Sequence, residues 1–264
     1  QDNAQLRERL AKLSYGPKEF FTVRTADGVE LNAWMVKPAD FDAKKKYPVL
    51  MTQYSGPNSQ SVLDRFEFGW EAAHGVITIC VDGRGTGARG EEFRKCTYLK
   101  MGDLESKDQV AAAKALAKQF PFIDASRMAI WGWSFGGYNT LMSMSVGEGT
   151  FKVGIAVAPP TDWHYYNTIY TERYMRTPKE NAEGYALTSP IKLAKKLTGK
   201  LLLIHGTADD NVHFMQTMDY AETLVQLGKQ FDMQVYKDRN HFIMGGNTRL
   251  HLYTRMTDFI LENL

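Results

Sequence analysis

Short apolar segments that alternate with amphipathic ones predict an α/β protein. The expected architecture is an eight-stranded, mostly parallel sheet with an N-terminal antiparallel hairpin and helices on both faces. Three observations carry this expectation. Segments 76–81 and 201–205 are apolar nearly throughout, as strands buried on both faces are. Turn-forming residues such as Ser55-Gly56-Pro57 and Asp82-Gly83-Arg84-Gly85 end the strands. Between the strands lie segments with apolar residues at helical spacing, for example Val110, Ala113, Leu116 and Ala117.

The elements follow in order. Leu6, Leu10 and Leu13 predict a short amphipathic helix over 3–14 that serves as a connector. Residues 19–25 and 29–36 flank Asp27-Gly28 and read as a β-hairpin. A charged loop over 38–47 leads to a strand at 49–54, a helix at 66–74 and a strand at 76–81. An alanine-rich helix at 104–120 precedes the strand at 128–133, and a helix-forming run begins near Thr140. Strands at 153–158, 201–205 and 233–237 complete the sheet, with helices at 214–227 and 247–264. No internal repeat interrupts the pattern. The domain reading is a connector over 1–18 and one α/β domain over 19–264.

Composition narrows the function. The chain has 264 residues, 44% hydrophobic and 23% charged, with a formal net charge of +2. That balance is ordinary for a globular domain and gives no reason to expect nucleic acid. Lys44-Lys45-Lys46 reads as a solvated loop, and no apolar stretch reaches membrane-spanning length. The chain opens on Gln1-Asp2-Asn3-Ala4 without an initiator Met, so a fragment or processed chain is expected. Cys80, in an apolar strand, and Cys96, in a loop, are expected as free thiols, with no metal site and no cofactor.

The chemistry centres on Trp131-Gly132-Trp133-Ser134-Phe135-Gly136-Gly137-Tyr138. A Gly-x-Ser-x-Gly between a strand and a helix is the nucleophile-elbow pattern. Its serine is held at a strained corner, its small neighbours let other chain pass close, and the amide after it faces a developing oxyanion. A serine hydroxyl needs a base, usually an imidazole oriented by a carboxylate, and in the α/β-hydrolase arrangement these follow in the order Ser, Asp or Glu, His. Of the six histidines, His74 precedes the serine, and His164 follows it too soon. His205 ends a strand, where a structural role is expected; His213 crowds the acid region; His251 falls inside the last helix. His241 follows the last strand and is the expected base. The acid belongs after the preceding strand, where Asp209 and Asp210 stand side by side. Local spacing does not separate them; Asp209 is preferred, with Asp210 as part of an acidic turn. Tyr54, Asp82, Ser134, Asp209 and His241 all fall at carboxyl ends of predicted strands, where open α/β sheets form sites.

These residues carry a family resemblance. The elbow, Asp82-Gly83-Arg84-Gly85, Thr171-Glu172-Arg173-Tyr174-Met175 and the stretch His205–Phe214 together resemble the catalytic domain of the prolyl oligopeptidase family, in its dipeptidyl peptidase IV branch. The resemblance covers nearly the whole chain. It implies Ser134 as nucleophile, Asp209 as orienting acid and His241 as base. Tyr54 and the backbone amide of Phe135 would form the oxyanion site. Trp163, Tyr166 and Tyr170, with Val212 and Phe135, would wall a pocket for proline or alanine, and Asn211 would contact the carbonyl of the substrate's first residue. Without the resemblance the aromatic run reads as core packing. Phe135 stands where the branch usually has Tyr, and Pro160 replaces a smaller aliphatic residue near the pocket wall, which would narrow it.

The resemblance further implies an N-terminal β-propeller, absent from this chain, whose paired glutamates hold the substrate's free amine. Glu91-Glu92 reads here as part of a loop and does not match that pair. The expected partners are that propeller, a peptide with proline or alanine at its second position, and a second copy in a homodimer, with an extracytoplasmic location for the parent protein. The expected reaction is release of Xaa-Pro dipeptides through an acyl-enzyme on Ser134. An acylaminoacyl-peptidase or esterase using the same triad, and a non-catalytic module of the same fold, are the alternatives.

Overall fold

The computed structural model describes residues 2–12, 16–65 and 74–264. The helix expected at 66–74 lies, apart from His74, outside the described residues, as does Leu13 of the expected connector. The eight strands are β1 (Lys18–Arg24), β2 (Glu30–Val36), β3 (Tyr47–Thr52), β4 (Ile77–Asp82), β5 (Ile123–Trp133), β6 (Val153–Val157), β7 (Lys200–Gly206) and β8 (Asp232–Tyr236). They form one sheet in the order β1-β2-β4-β3-β5-β6-β7-β8. β2 runs antiparallel to both β1 and β4, and every pairing from β4 to β8 is parallel. The sheet and its opening hairpin are those expected.

The helices are α1 (Ala4–Leu10), α2 (Glu91–Lys95), α3 (Asp103–Gln119), α4 (Phe135–Val146), α5 (Thr168–Met175), α6 (Ala182–Leu187), α7 (Pro190–Leu193), α8 (Met215–Gln226) and α9 (Thr248–Asn263). α1 buries no residue fully, and Leu10 is its one half-buried side chain among the described residues. α2 corrects the expectation for Glu91-Glu92, which open a short helix instead of a loop. Glu91 is held there by ion pairs to Arg94 and Lys95, three and four residues on. The short helices α5, α6 and α7 were also absent from the sequence expectation, because each is too brief to show a helical period.

Side chains alternate across the parallel strands, so both faces are buried. Val49, Met51, Met128, Ile130, Leu201 and Leu203 join one core with Val110, Ala113 and Leu116 of α3, Leu141 of α4 and Leu224 of α8. Leu50, Ala129, Ile155, Leu202 and Ile204 join the opposite core with Leu252, Met256, Phe259 and Ile260 of α9. That i, i+4, i+7, i+8 spacing puts the four α9 side chains on one face, each worth about 1.5–3 kcal/mol of burial. Successive residues of the parallel strands thus alternate between two cores, and the strand ends that carry the candidate functional side chains are left at one rim of the sheet. No helix among the described residues is long and apolar enough to cross a membrane.

Candidate active site

The elbow joins β5 to α4. Ser134 sits between them with φ 60° and ψ −119°, a left-handed conformation that a non-glycine residue adopts only under strain. The surroundings hold it there. Its N–H donates to the Val157 carbonyl at the end of β6 (2.8 Å), and its carbonyl accepts the first helical bond, from Tyr138 N–H (3.0 Å). The corner needs glycine on both sides. A Cβ on Gly132 would lie 2.4 Å from the Gly136 carbonyl carbon, and one on Gly136 would lie 2.5 Å from the Gln53 carbonyl oxygen. Phe135, the residue after the serine, opens α4, whose first-turn amides have no intrahelical acceptor. Those amides are the donors an oxyanion needs.

Tyr54 follows β3, and its ring centroid lies 6.1 Å from that of Phe135. It keeps 41% of its surface exposed, yet desolvation, with Tyr166 and Tyr174 adding to it, raises its phenol above the ordinary value. The hydroxyl therefore stays a neutral donor at physiological pH. Gln53, to which the sequence reading assigned no role, clamps this corner. Its Nε2 donates to the Gly136 carbonyl (2.7 Å) and to Thr140 Oγ1 (3.2 Å), while its Oε1 accepts from Ser55 Oγ (2.9 Å) and Asn139 Nδ2 (3.2 Å). An amide at the end of an apolar run was the one signal the sequence offered, and the structure shows it buried.

Asp209 and His241 stand on the two loops after β7 and β8. Asp209 is 5% exposed and His241 6% exposed, whereas Asp210 is exposed, which separates the two carboxylates that spacing left together. Asp209 Oδ2 accepts from His241 Nδ1 at 2.7 Å. Its Oδ1 accepts from the N–H groups of Asn211 (3.0 Å) and Val212 (2.9 Å). Burial opposes the charge on Asp209, but hydrogen bonds from His205 and His241, the His241 charge and the Asn211 amide outweigh it and hold the carboxyl well below the usual range. The loops themselves are tied together by Ala208 N–H to the Arg239 carbonyl (3.1 Å) and Asp238 N–H to Thr207 Oγ1 (2.8 Å). Trp133 Nε1, on the elbow strand, donates to the His241 carbonyl (2.8 Å).

Beside Ser134 lies an aromatic cluster. Trp163 is almost fully buried, with its ring centroid 5.7 Å from Phe135, 6.0 Å from Tyr166 and 6.3 Å from Tyr170. Its Nε1 donates to Tyr138 Oη (3.1 Å). Tyr166 and Tyr170 are half-buried, and Tyr174 stacks edge-on against Tyr170 at 4.9 Å. Tyr166 Oη donates to Asn211 Oδ1 (2.6 Å), joining the aromatic wall to the acid loop. Val212 is fully buried behind it, and Pro160 is buried as well. Asp162, with His164 at 2.5 Å and Ser189 Oγ at 2.6 Å, pins the turn that carries Trp163.

Asp82 lies apart from this group. Its carboxylate accepts from the N–H groups of Ser61 and Val62, and Arg84 forks onto the buried Asp108 of α3 (2.5–3.1 Å). The Asp-Gly-Arg-Gly motif thus fastens loops in this structure. Glu105, also unforeseen, is fully buried in α3 and accepts from Gly102 N–H (2.8 Å); burial pushes its carboxyl up to about 8.

An elbow serine at the rim of a mostly parallel sheet, with an Asp–His pair on the ends of the last two strands, defines an α/β-hydrolase. The chain belongs to the prolyl oligopeptidase family, whose model matches residues 62–264. It is 42% identical over 270 residues to a probable dipeptidyl-aminopeptidase B of Fusarium vanettenii, covering 99% of this chain and 29% of that protein. A namesake from Neurospora crassa is 43% identical over 271 residues with the same coverage. The crystal structure of Porphyromonas gingivalis dipeptidyl peptidase 4 superposes with a TM-score of 0.97 at 59% identity, over 100% of this chain and 38% of its own. A putative dipeptidyl aminopeptidase IV of Bacteroides ovatus follows at TM-score 0.90 and 36% identity, over 96% of this chain and 36% of its own. The chain therefore spans less than a third of the length of the curated relatives it matches.

Proposed function

We propose that this chain is the catalytic domain of a serine peptidase that removes N-terminal dipeptides, cutting after proline or alanine at the second position. The observation that carries the proposal is the 2.7 Å bond from His241 Nδ1 to Asp209 Oδ2, on the loops after β7 and β8, at the same rim of the sheet as a strained elbow serine. Asp209 fixes the tautomer: with the proton on Nδ1, the Nε2 lone pair of His241 is free to take a proton. Ser134 Oγ attacks the scissile carbonyl carbon, and its proton passes to His241 Nε2. The carbonyl oxygen becomes an oxyanion, received by the Phe135 amide and the Tyr54 hydroxyl. Collapse breaks the C–N bond, and His241 returns the proton to the leaving amine. Water, deprotonated by the same imidazole, then hydrolyses the acyl-enzyme ester and restores Ser134.

The pocket supports the substrate class. Trp163, Tyr166 and Tyr170 present flat apolar faces, and a proline ring is compact, apolar and already rigid, so it is buried at little ordering cost. Alanine fills less of that space and is the poorer substrate. Asn211, fixed by Tyr166, offers its amide to the carbonyl of the first residue. The domain reading is a connector over 1–18 and a catalytic domain over 19–264. The greater length of the relatives supports a further N-terminal domain, a β-propeller that holds the substrate's amine. Exposed Val235, Leu250 and Leu261 support a contact between two copies near the C-terminal helix, checked by sedimentation.

The test uses the full-length protein. It hydrolyses an Xaa-Pro amide, loses that activity when the substrate's amine is acetylated, and is labelled at Ser134 by a fluorophosphonate. Equal cleavage of the acetylated substrate defeats the dipeptide assignment, preference for short-chain esters over amides makes it an esterase, and absence of labelling defeats catalysis by Ser134.

A further inference from the structure

His205 was read from sequence as a structural histidine at the end of β7, and nothing in the proposed reaction uses it. Its surroundings are unusual for a structural residue. The side chain is fully buried, and its Nε2 faces two oxygens that can only accept: Asp209 Oδ2 at 3.1 Å and the Val212 carbonyl at 2.8 Å. Nε2 must therefore carry a hydrogen. On the other side, Nδ1 lies 2.7 Å from Thr217 Oγ1 of α8, a hydroxyl that can donate to it. The two acceptors place a proton on Nε2, and the Thr217 hydroxyl pairs with Nδ1 on the other side of the ring. The Phe214 ring closes the site edge-on at 5.6 Å.

The consequence falls on Asp209. One oxygen, Oδ2, receives both His205 Nε2 and His241 Nδ1, while Oδ1 receives two backbone amides. Without His205, the Asp209 side chain is restrained through Oδ1 and through His241 alone. With it, Oδ2 is anchored from β7, the rigid strand beneath, and the bond to the Val212 carbonyl closes the 209–212 turn on the same imidazole. We infer that His205 is a positioning residue: a Thr217–His205–Asp209–His241 chain of hydrogen bonds aims the acid's Oδ2 at the base and shares the acid's charge between two imidazoles. The inference rests on the triad reading for its effect on rate, but the chain itself is a statement about proton positions.

Two measurements test it. In wild-type protein with histidine-selective nitrogen-15 labelling, His205 is expected as the Nε2–H tautomer and His241 as the Nδ1–H tautomer at neutral pH; an Nδ1–H tautomer at His205 overturns the inference whether or not the protein is a peptidase. In the second, His205→Phe and His205→Gln are compared with wild type in the full-length protein, with rates counted per fluorophosphonate-titrated site. His205→Phe, which removes the donor, is expected to lower kcat about tenfold at nearly constant KM, the effect of losing one hydrogen bond to a charged group. It is also expected to move the acidic limb of the rate profile upward, since a carboxylate with one donor fewer stabilises protonated His241 more. His205→Gln keeps an N–H near the Nε2 position and is expected to recover most of the loss. A role confined to packing lowers thermal stability and the labelled fraction but leaves per-site kcat, the acidic limb and the His241 tautomer as in wild type, and that result overturns the inference. Absence of labelling in wild type defeats the triad reading instead, while the tautomers still decide the hydrogen-bond chain.

Discussion

Trp133 and His241 are joined by a 2.8 Å hydrogen bond from the indole Nε1 to the main-chain carbonyl, across 108 residues of sequence. The elbow strand thereby holds the loop of the candidate base by its backbone, leaving the imidazole free to move protons. Trp133→Phe leaves an aromatic ring, though a smaller one, beneath Arg249, which stacks on the indole at 4.8 Å, and removes the donor. The expected cost in stability is about 1 kcal/mol. The expected kinetic effect is a several-fold lower kcat with KM nearly unchanged, read from steady-state rates beside a thermal melt.

Ser134 sits in a strained backbone conformation. Its φ of 60° lies in a region costing on the order of 1–3 kcal/mol for a side chain and almost nothing for glycine. Ser134→Gly is expected to abolish fluorophosphonate labelling while raising stability by about 1 kcal/mol, after allowance for glycine's greater freedom in the unfolded chain. Ser134→Ala is expected to abolish labelling with little gain. Denaturant unfolding of both variants distinguishes strain from a simple loss of the hydroxyl.

Gly136 leaves no room for a side chain. A Cβ there would lie 2.5 Å from the Gln53 carbonyl oxygen and 3.2 Å from Tyr54 Cα. Gly136→Ala must push the end of β3 away, with an expected cost of about 1–3 kcal/mol. Because Tyr54 moves with it, the residual folded protein is expected to show a lower kcat. A stable variant with normal kinetics would contradict the close approach.

Glu105 makes stability depend on pH. Its carboxyl is raised in the folded state to about 8 from an ordinary value of 4.5. The folded protein therefore binds the proton that the unfolded chain has already released, and this contribution is fully present below about 4.5 and lost as pH rises towards about 8. Within that window the slope approaches about 1.4 kcal/mol per pH unit against folding. Asp209 acts in the opposite sense: its depressed carboxyl stabilises the fold above the ordinary aspartate range, and that contribution is lost only in strong acid. Glu105→Gln, a fixed analogue of the neutral acid, is expected to flatten the decline between pH 5 and 8 in denaturant titrations, roughly those limits bracketing the window.

Tyr166 links the aromatic wall to Asn211 through a 2.6 Å hydrogen bond. Tyr166→Phe preserves the ring and releases the amide. With an Xaa-Pro amide in the full-length protein, KM is expected to rise several-fold while kcat changes little, because the contact orients substrate in the ground and transition states alike. A fall in kcat at constant KM would place Tyr166 in the chemical step instead.

The sheet, its opening hairpin and the order Ser134, Asp209, His241 were legible because they are written locally. Apolar runs, turn residues and an elbow motif each occupy a few consecutive positions. Segments too short for a period, such as α5 and α7, were not legible. The aromatic residues 163–170 read by composition as core, and only the family resemblance offered them as a pocket wall.

By itself, then, the sequence determined the fold class, the elbow and which loops carry the candidate acid and base, because periodicity and chain order survive in one dimension. The tertiary structure decided the rest. It placed β4 between β2 and β3, buried Asp209 while leaving Asp210 in solvent, set His205 against the same carboxylate oxygen as His241, and closed Glu105 away from water. Each of these depends on which atoms from distant segments face one another and on how much water remains between them. Burial and hydrogen-bond partnership are properties of that three-dimensional arrangement, and no local pattern of residues encodes them.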